Sequence, residues 1–139
     1  MSITQEQIGL VQDTWSLLKS KGSFEDYGMI LFGRLFTEAP EMYGVFPFAK
    51  GFTSWEKLKE TARMKRHAGG VFKAIDGAVG GLNDLSAVEP VLVALGSRHV
   101  KYGIKPEYFE TVGAAVLYTL ETGLGDKWTP DTKAAWVVV

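Results

Sequence analysis

Apolar side chains recur at steps of three and four along most of this chain, a spacing that predicts helices rather than strands. Thr4 with Gln7 forms a capping-box pattern, after which Ile8, Val11, Trp15 and Leu18 mark one face of a first helix. Gly22 and Ser23 interrupt the pattern. A second helix is expected from about Phe24 to Glu38, with Tyr27, Leu31 and Leu35 on one side and Ile30, Phe32 and Phe36 widening the apolar face. Such width predicts burial on more than one side. Pro40 suits the first turn of a short helix in PEMYGVF.

PFAKGFTS, residues 47–54, reads as a loop. The next helix is expected to start near Thr53, with Glu56 as capping partner, and to run unbroken to about Val79. Its inner stripe is Met64, His67, Ala68, Val71, Phe72 and Ile75, while Lys57, Lys59, Arg63, Lys65 and Arg66 fall largely on the solvated side. Gly80-Gly81 ends it. Ser86 with Glu89 makes another capping box, Pro90 lies in the turn that follows, and Leu92, Leu95 and His99 continue at helical steps until Gly103. Pro106 opens a helix through Phe109, Val112, Val116, Leu117 and Leu120 that closes near Gly123. Thr129-Pro130 starts a last one, and the β-prone TrpValValVal end is read as its continuation. Seven or eight helices and no convincing strand predict an all-α fold, one domain over residues 1–139.

Composition narrows the function more than the fold. Fifteen Lys and Arg against sixteen Asp and Glu leave no field to draw in nucleic acid or an acidic membrane. The absence of cysteine removes disulfides, thiolate zinc sites, iron–sulfur clusters and cysteine catalysis together. MSITQEQIGLVQ has neither the basic start nor the apolar run of a signal peptide, no stretch has transmembrane length, and the cytoplasm is the default location. There is no G-x-G-x-x-G or phosphate loop, and Ser97 near His99 has no carboxylate to complete a hydrolase triad.

That leaves the two histidines. His67 alone on an apolar stripe reads as an ordinary core or boundary residue. His99 alone reads as a cation at a helix C-terminus, which is favourable by roughly 0.3–1 kcal/mol. Together they are harder to explain. Each lies on the inward stripe of its own helix, with Val71 one turn after His67 and Leu95 one turn before His99. Two imidazoles facing one apolar space each carry a donor and an acceptor to satisfy. A shared metal ion would satisfy them, and with no cysteine or nearby carboxylate to complete a zinc set, iron held in a porphyrin fits better than a bare ion.

The chain also resembles the globin family, in particular neuroglobin-type and other single-domain globins of invertebrates and microbes. The matching segments are LVQDTW, LFGRLFTEAPEMYGVFPF, HAGGVFKAIDGAV, LGSRHVKYGIKPEYFETVG, LYTLE and TPDTKAAW, colinear over essentially the whole length. The separation of 32 positions between His67 and His99 suits a distal and proximal pair. The resemblance implies a three-over-three helical sandwich around haem b (iron protoporphyrin IX). It implies His99 as proximal iron ligand, oriented through the Leu95 carbonyl, and His67 as distal residue and potential sixth ligand. Phe46 matches the family's haem-wedging phenylalanine, with Phe48 counted beside it. Phe32 and Val71 would line the distal side, and Leu95, Ile104, Phe109 and Val112 the proximal one. Gly28 and Ala68 match the small residues at a close helix crossing.

Three departures qualify the resemblance. Gly70 stands where many globins carry a basic partner for a haem propionate, leaving Arg66, Lys65, Arg98 or Tyr102 as substitutes. Gly69-Gly70 lowers helix stability by roughly 1 kcal/mol per glycine relative to alanine, so the distal segment is expected to shift. The last helix is shorter than a globin's usually is, read as a shortened form of a longer chain, and the exposed TrpValValVal favours association into homo-oligomers. The expected function is reversible binding of oxygen, carbon monoxide or nitric oxide at ferrous iron, for storage, transport or sensing. The alternatives are haem-based redox chemistry, such as nitric oxide dioxygenation or nitrite reduction fed by a partner reductase, and a haem-free globin serving as an interaction module.

Overall fold

A computed structural model of the protein describes residues 3–84, 86, 89–90, 93–94 and 106–138. Its α-helices are α1 (Gln5–Lys21), α2 (Phe24–Glu38), α3 (Trp55–Leu58), α4 (Ala62–Gly80), α5 (Pro106–Leu124) and α6 (Pro130–Val138), and no strand occurs among the described residues. Residues 86, 89, 90, 93 and 94 have helical backbone. The helix expected to carry Leu92, Leu95 and His99 otherwise lies outside the described residues, as do Ile104, Arg98 and Tyr102.

α1 forms as its sequence predicts. The Thr4 hydroxyl accepts from the Gln7 backbone N–H at 3.1 Å, and the Gln7 side chain accepts from the Thr4 N–H at 3.0 Å, closing the capping box. Its buried residues are Ile8, Val11, Trp15 and Leu18. α2 is capped by Ser23, whose hydroxyl accepts from the Asp26 N–H at 3.1 Å. Its buried set of Tyr27, Gly28, Leu31, Phe32, Leu35 and Phe36 spans more than one side, as the width of the stripe predicted. Ile30 is not among them: it is half-buried on the far face of the helix.

The segment after α2 differs from the reading of PEMYGVF as one short helix. Pro40–Gly44 and Pro47–Ala49 are separate 3-10 turns with Phe46 extended between them, and Gly51 takes a left-handed φ of 87° that turns the chain towards α3. The helix expected to run unbroken from Thr53 to Val79 is in fact two. Thr61 is the reason: its hydroxyl accepts from the Met64 N–H at 3.2 Å and donates to the Leu58 carbonyl at 2.9 Å. One side chain therefore ends α3 and caps α4. The expected cap at Thr53 with Glu56 does not form; Ser54 stands at the N-cap without a side-chain bond, and Glu56 pairs with Lys59 at 2.7 Å.

α2 packs most extensively on α4 and then on α5, while α1 lies against α6. Trp15 sits where these layers meet. It is 2 % exposed, stacks on Phe72 of α4 with centroids 5.6 Å apart, and lies 6.3 Å from Phe24 and 5.8 Å from Trp136 of α6. Its indole N–H donates to Asp76 at 2.8 Å, and Lys19 approaches the same carboxylate oxygen at 3.0 Å. The Trp136 indole N–H donates to Thr14 at 3.0 Å; residues 136–138 are helical as read, and Trp136 is buried where the end was expected to be exposed, while Val137 stays 62 % exposed. α5 ends at Leu124, one residue beyond the glycine expected to close it.

Candidate functional site

α4 carries two stripes, and their division creates the site. Met64, Ala68, Phe72 and Val79 are buried against the neighbouring helices. His67, Val71 and Ala78, each one position away, together with Ala74 and Ile75, instead line a cavity of about 870 Å³. The opposite wall is one face of α5: Tyr108, Phe109, Val112, Gly113 and Val116. Phe32 of α2, Met42 of the first 3-10 turn, and Phe46 and Phe48 add to the described lining, together with Arg63, Arg66 and Gly70 of α4. The volume falls within the range of about 300–1,000 Å³ common for pockets that take a small molecule or cofactor.

His67 stands in an aromatic corner. Its ring centroid is 4.6 Å from that of Phe48, 5.3 Å from Phe32 and 5.9 Å from Phe46. Phe46 meets Phe32 edge-on at 5.6 Å, and behind them Phe36 stacks on Tyr43 at 4.4 Å. Burial pushes the Tyr43 hydroxyl pKa above its ordinary value. The extended backbone of Phe46 between two 3-10 turns lets both Phe46 and Phe48 reach this corner. Phe109, at 51 % exposure, presents one of the larger apolar surfaces of the chain, and it lies on the cavity wall.

Of the residues singled out from the sequence, Phe32, Phe46, Phe48, His67, Val71, Phe109 and Val112 line this one cavity. His99, Leu95 and Ile104 lie outside the described residues, so their side of the site rests on the sequence. Arg63 and Arg66 were expected on the solvated side of α4; both are exposed, yet both also line the cavity. Arg63 precedes His67 by four residues, and that spacing alone places it on the cavity side of the helix. Met42 and Tyr108 were missed altogether. Among the described residues, no group of three or more histidines, cysteines or acids could hold a bare metal ion.

A flat apolar macrocycle with acidic edges suits such a wall: aliphatic and aromatic faces, one imidazole among them and two guanidiniums. The comparisons with known proteins agree. The family model for globins matches residues 30–139. This chain is a globin. It is similar to the neuroglobin of Tetraodon nigroviridis, 35% identical over 129 residues, covering 92% of this chain and 79% of that relative. The neuroglobin of Danio rerio is 30% identical over 138 residues, with 99% and 85% covered. Its fold matches that of the Drosophila melanogaster hexa-coordinate hemoglobin, studied for cyanide binding and haem-cavity transitions, with a TM-score of 0.86 at 19% identity over 98% of this chain and 87% of that one. The fold is thus an all-α globin fold, and the sequence is that of a neuroglobin-like globin, a family of haem proteins. No described helix of this globin is long and apolar enough to cross a membrane.

Proposed function

We propose that this globin holds haem b in the α4–α5 cavity, with His99 as the axial protein ligand, and binds oxygen, carbon monoxide or nitric oxide reversibly at ferrous iron. The observation that carries the reading is the placement of His67 with Phe32, Phe46, Phe48 and Val71 on one apolar wall facing Phe109 and Val112. When bound, the haem would supply a ferrous iron able to take a diatomic ligand.

The chain's own residues do the rest. Phe46 and Phe48 would wedge the macrocycle from the loop side, and Phe109 and Val112 would support it from α5. The apolar side chains of the lining would limit water at the iron, which would favour reversible binding over oxidation. His67 is positioned to donate an N–H to a ligand that gains negative charge, oxygen more than carbon monoxide, while Phe32 and Val71 limit ligand size. Arg63 and Arg66, in place of the basic residue that Gly70 lacks, would pair with the two propionates at the rim. Gly69 and Gly70 loosen α4 next to His67: a Cβ at Gly70 would meet nothing within 4 Å, and one at Gly69 only the Glu25 backbone and Cβ at 3.8–3.9 Å. This looseness supports a distal imidazole that could approach the iron itself. We place this chemistry in the cytoplasm, where a reductase would return oxidised iron to the ferrous state.

The deciding experiment is His99→Ala on the haem-loaded protein. Loss of haem affinity and of the native Soret spectrum is expected; unchanged haem content and spectrum would sink the axial assignment. In the unmutated ferrous, ligand-free protein, sharp split visible bands would report His67 on the iron and one broad band an open site.

A further inference from the structure

A second concavity, of about 470 Å³, lies on the far face of α2. At 100° per residue, Met29, Ile30, Gly33, Arg34 and Thr37 share one side of that helix, and Phe32 points to the other, into the haem cavity. Trp55 and Lys59, at and just after α3, and Tyr118 of α5 close the groove, which shares no lining residue with the haem cavity.

Its construction is specific. Gly33 lets the Trp55 indole lie against the α2 backbone, since a Cβ there would come within 2.9 Å of the indole nitrogen. The Arg34 guanidinium lies over the Tyr118 ring, 4.4 Å from its centroid, which presents a flat cationic surface beside a flat apolar one. Among the described residues, the lining contains two cations, Arg34 and Lys59, and no acid. Their carboxylate partners stand outside it: Glu38 bonds Arg34 at 3.2 Å with a side chain 57 % exposed, and Glu56 bonds Lys59 at 2.7 Å with one 78 % exposed. Exposed pairs of this kind contribute little, and the five N–H donors of arginine and three of lysine leave others for a second anion.

We propose that this groove binds a small aromatic carboxylate. The ring packs among Trp55, Met29 and Ile30, and the carboxylate takes the planar fork of Arg34 with Lys59 beside it. The volume suits a body of one or two fused rings. Ile30, whose apolar side chain faces outward on this side of α2, forms part of the recognition surface.

The probe is 2-naphthoate, with neutral 2-naphthalenemethanol of the same shape as control, titrated into the full chain as purified. The indole N–H resonances are followed by NMR, with that of Trp55 assigned through Trp55→Phe. Saturable movement of the Trp55 resonance by naphthoate is expected, with the buried Trp15 resonance unmoved. The alcohol should bind at least about tenfold more weakly, since it forgoes the charge-assisted bonds. The double variant Arg34→Gln/Lys59→Gln, at surface positions that leave the fold intact, should abolish the preference for the acid while leaving the alcohol's binding unchanged. A Trp55 resonance that does not saturate, equal binding of acid and alcohol, or an unchanged preference in the double variant would each overturn the proposal. Because the two cavities share no described lining residue, these results are read separately from haem binding.

Discussion

Gly28 of α2 and Ala68 of α4 meet so closely that a Cβ at residue 28 would fall inside the Ala68 backbone carbonyl. Ala68 directly follows His67, so this crossing sets how far the distal helix stands from α2. The obstacle is backbone, which cannot swing aside as a side chain can. Gly28→Ala should therefore cost about 1–3 kcal/mol in urea unfolding, the usual range for forced overpacking. It should also displace α4 and alter the ferrous spectrum of the haem-loaded protein. A variant as stable as the parent would mean that the two helices are not held at this separation.

Asp76 ties α4 to α1 through the Trp15 indole N–H and Lys19, and these hydrogen bonds hold its carboxyl pKa below the ordinary value against the opposing effect of burial. A depressed native pKa means stability that is fully present above the unfolded value of about 3.9 and is lost as the pH falls through the native one. Asp76→Ala, which leaves the N–H of an indole only 2 % exposed without its acceptor, should cost about 1–3 kcal/mol at pH 7. The gap between parent and variant should shrink below about pH 4. Asp76→Asn keeps an acceptor for Trp15 and loses only the exposed lysine pair, so its cost should stay under about 1 kcal/mol.

Thr61 caps α4 and ends α3 with one hydroxyl. Thr61→Ala should destabilise the protein by about 1 kcal/mol, and Thr61→Ser should restore most of it. Equal midpoints for all three in chemical denaturation would show that the cap contributes nothing.

On the proposed haem reading, His67→Leu should speed oxygen dissociation by about tenfold, the equivalent of one lost hydrogen bond of about 1.4 kcal/mol. Carbon monoxide, which acquires less negative charge, should be held no more weakly. Flash photolysis of both ligands checks this, and equal slowing or acceleration of the two would count against a hydrogen-bonding role.

Arg63→Gln and Arg66→Gln should each speed haem transfer to an acceptor apoprotein by about 1.4- to fivefold, as expected for exposed ion pairs of about 0.2–1 kcal/mol. No change in either would assign the propionates to other residues.

α1 and α2 are legible in the sequence because local chemistry decides them: a capping box or Ser cap, then apolar steps that match the buried residues. The break at Thr61 is not, since a threonine within helical periodicity can bond back to a carbonyl or cap forwards, and only the fold selects between them. Within the site, His67 and Val71 follow from the α4 stripe, and Phe109 and Val112 from the globin resemblance. Met42 and Tyr108 reach the cavity through the packing of α2, α4 and α5, which no local spacing encodes. The groove beside Arg34 is hidden for the same reason, since Tyr118 follows Arg34 by 84 positions. Ile30 looked like core because an apolar residue on a wide stripe does not reveal which of two partners it faces.

The contact of Trp136 with Thr14 and Trp15 spans more than 120 residues of chain. A ribosome delivers α1 before α6, so the ring that covers Trp15 is made more than 120 residues after it. Until residue 136 emerges, Trp15 is left without one of its aromatic neighbours, and the first helix has no final place to dock. Such distant pairing slows folding, because the loop it closes must lose its entropy before the contact forms. The emission of Trp15, changing as Trp136 closes over it, would therefore time the docking of α6 on α1.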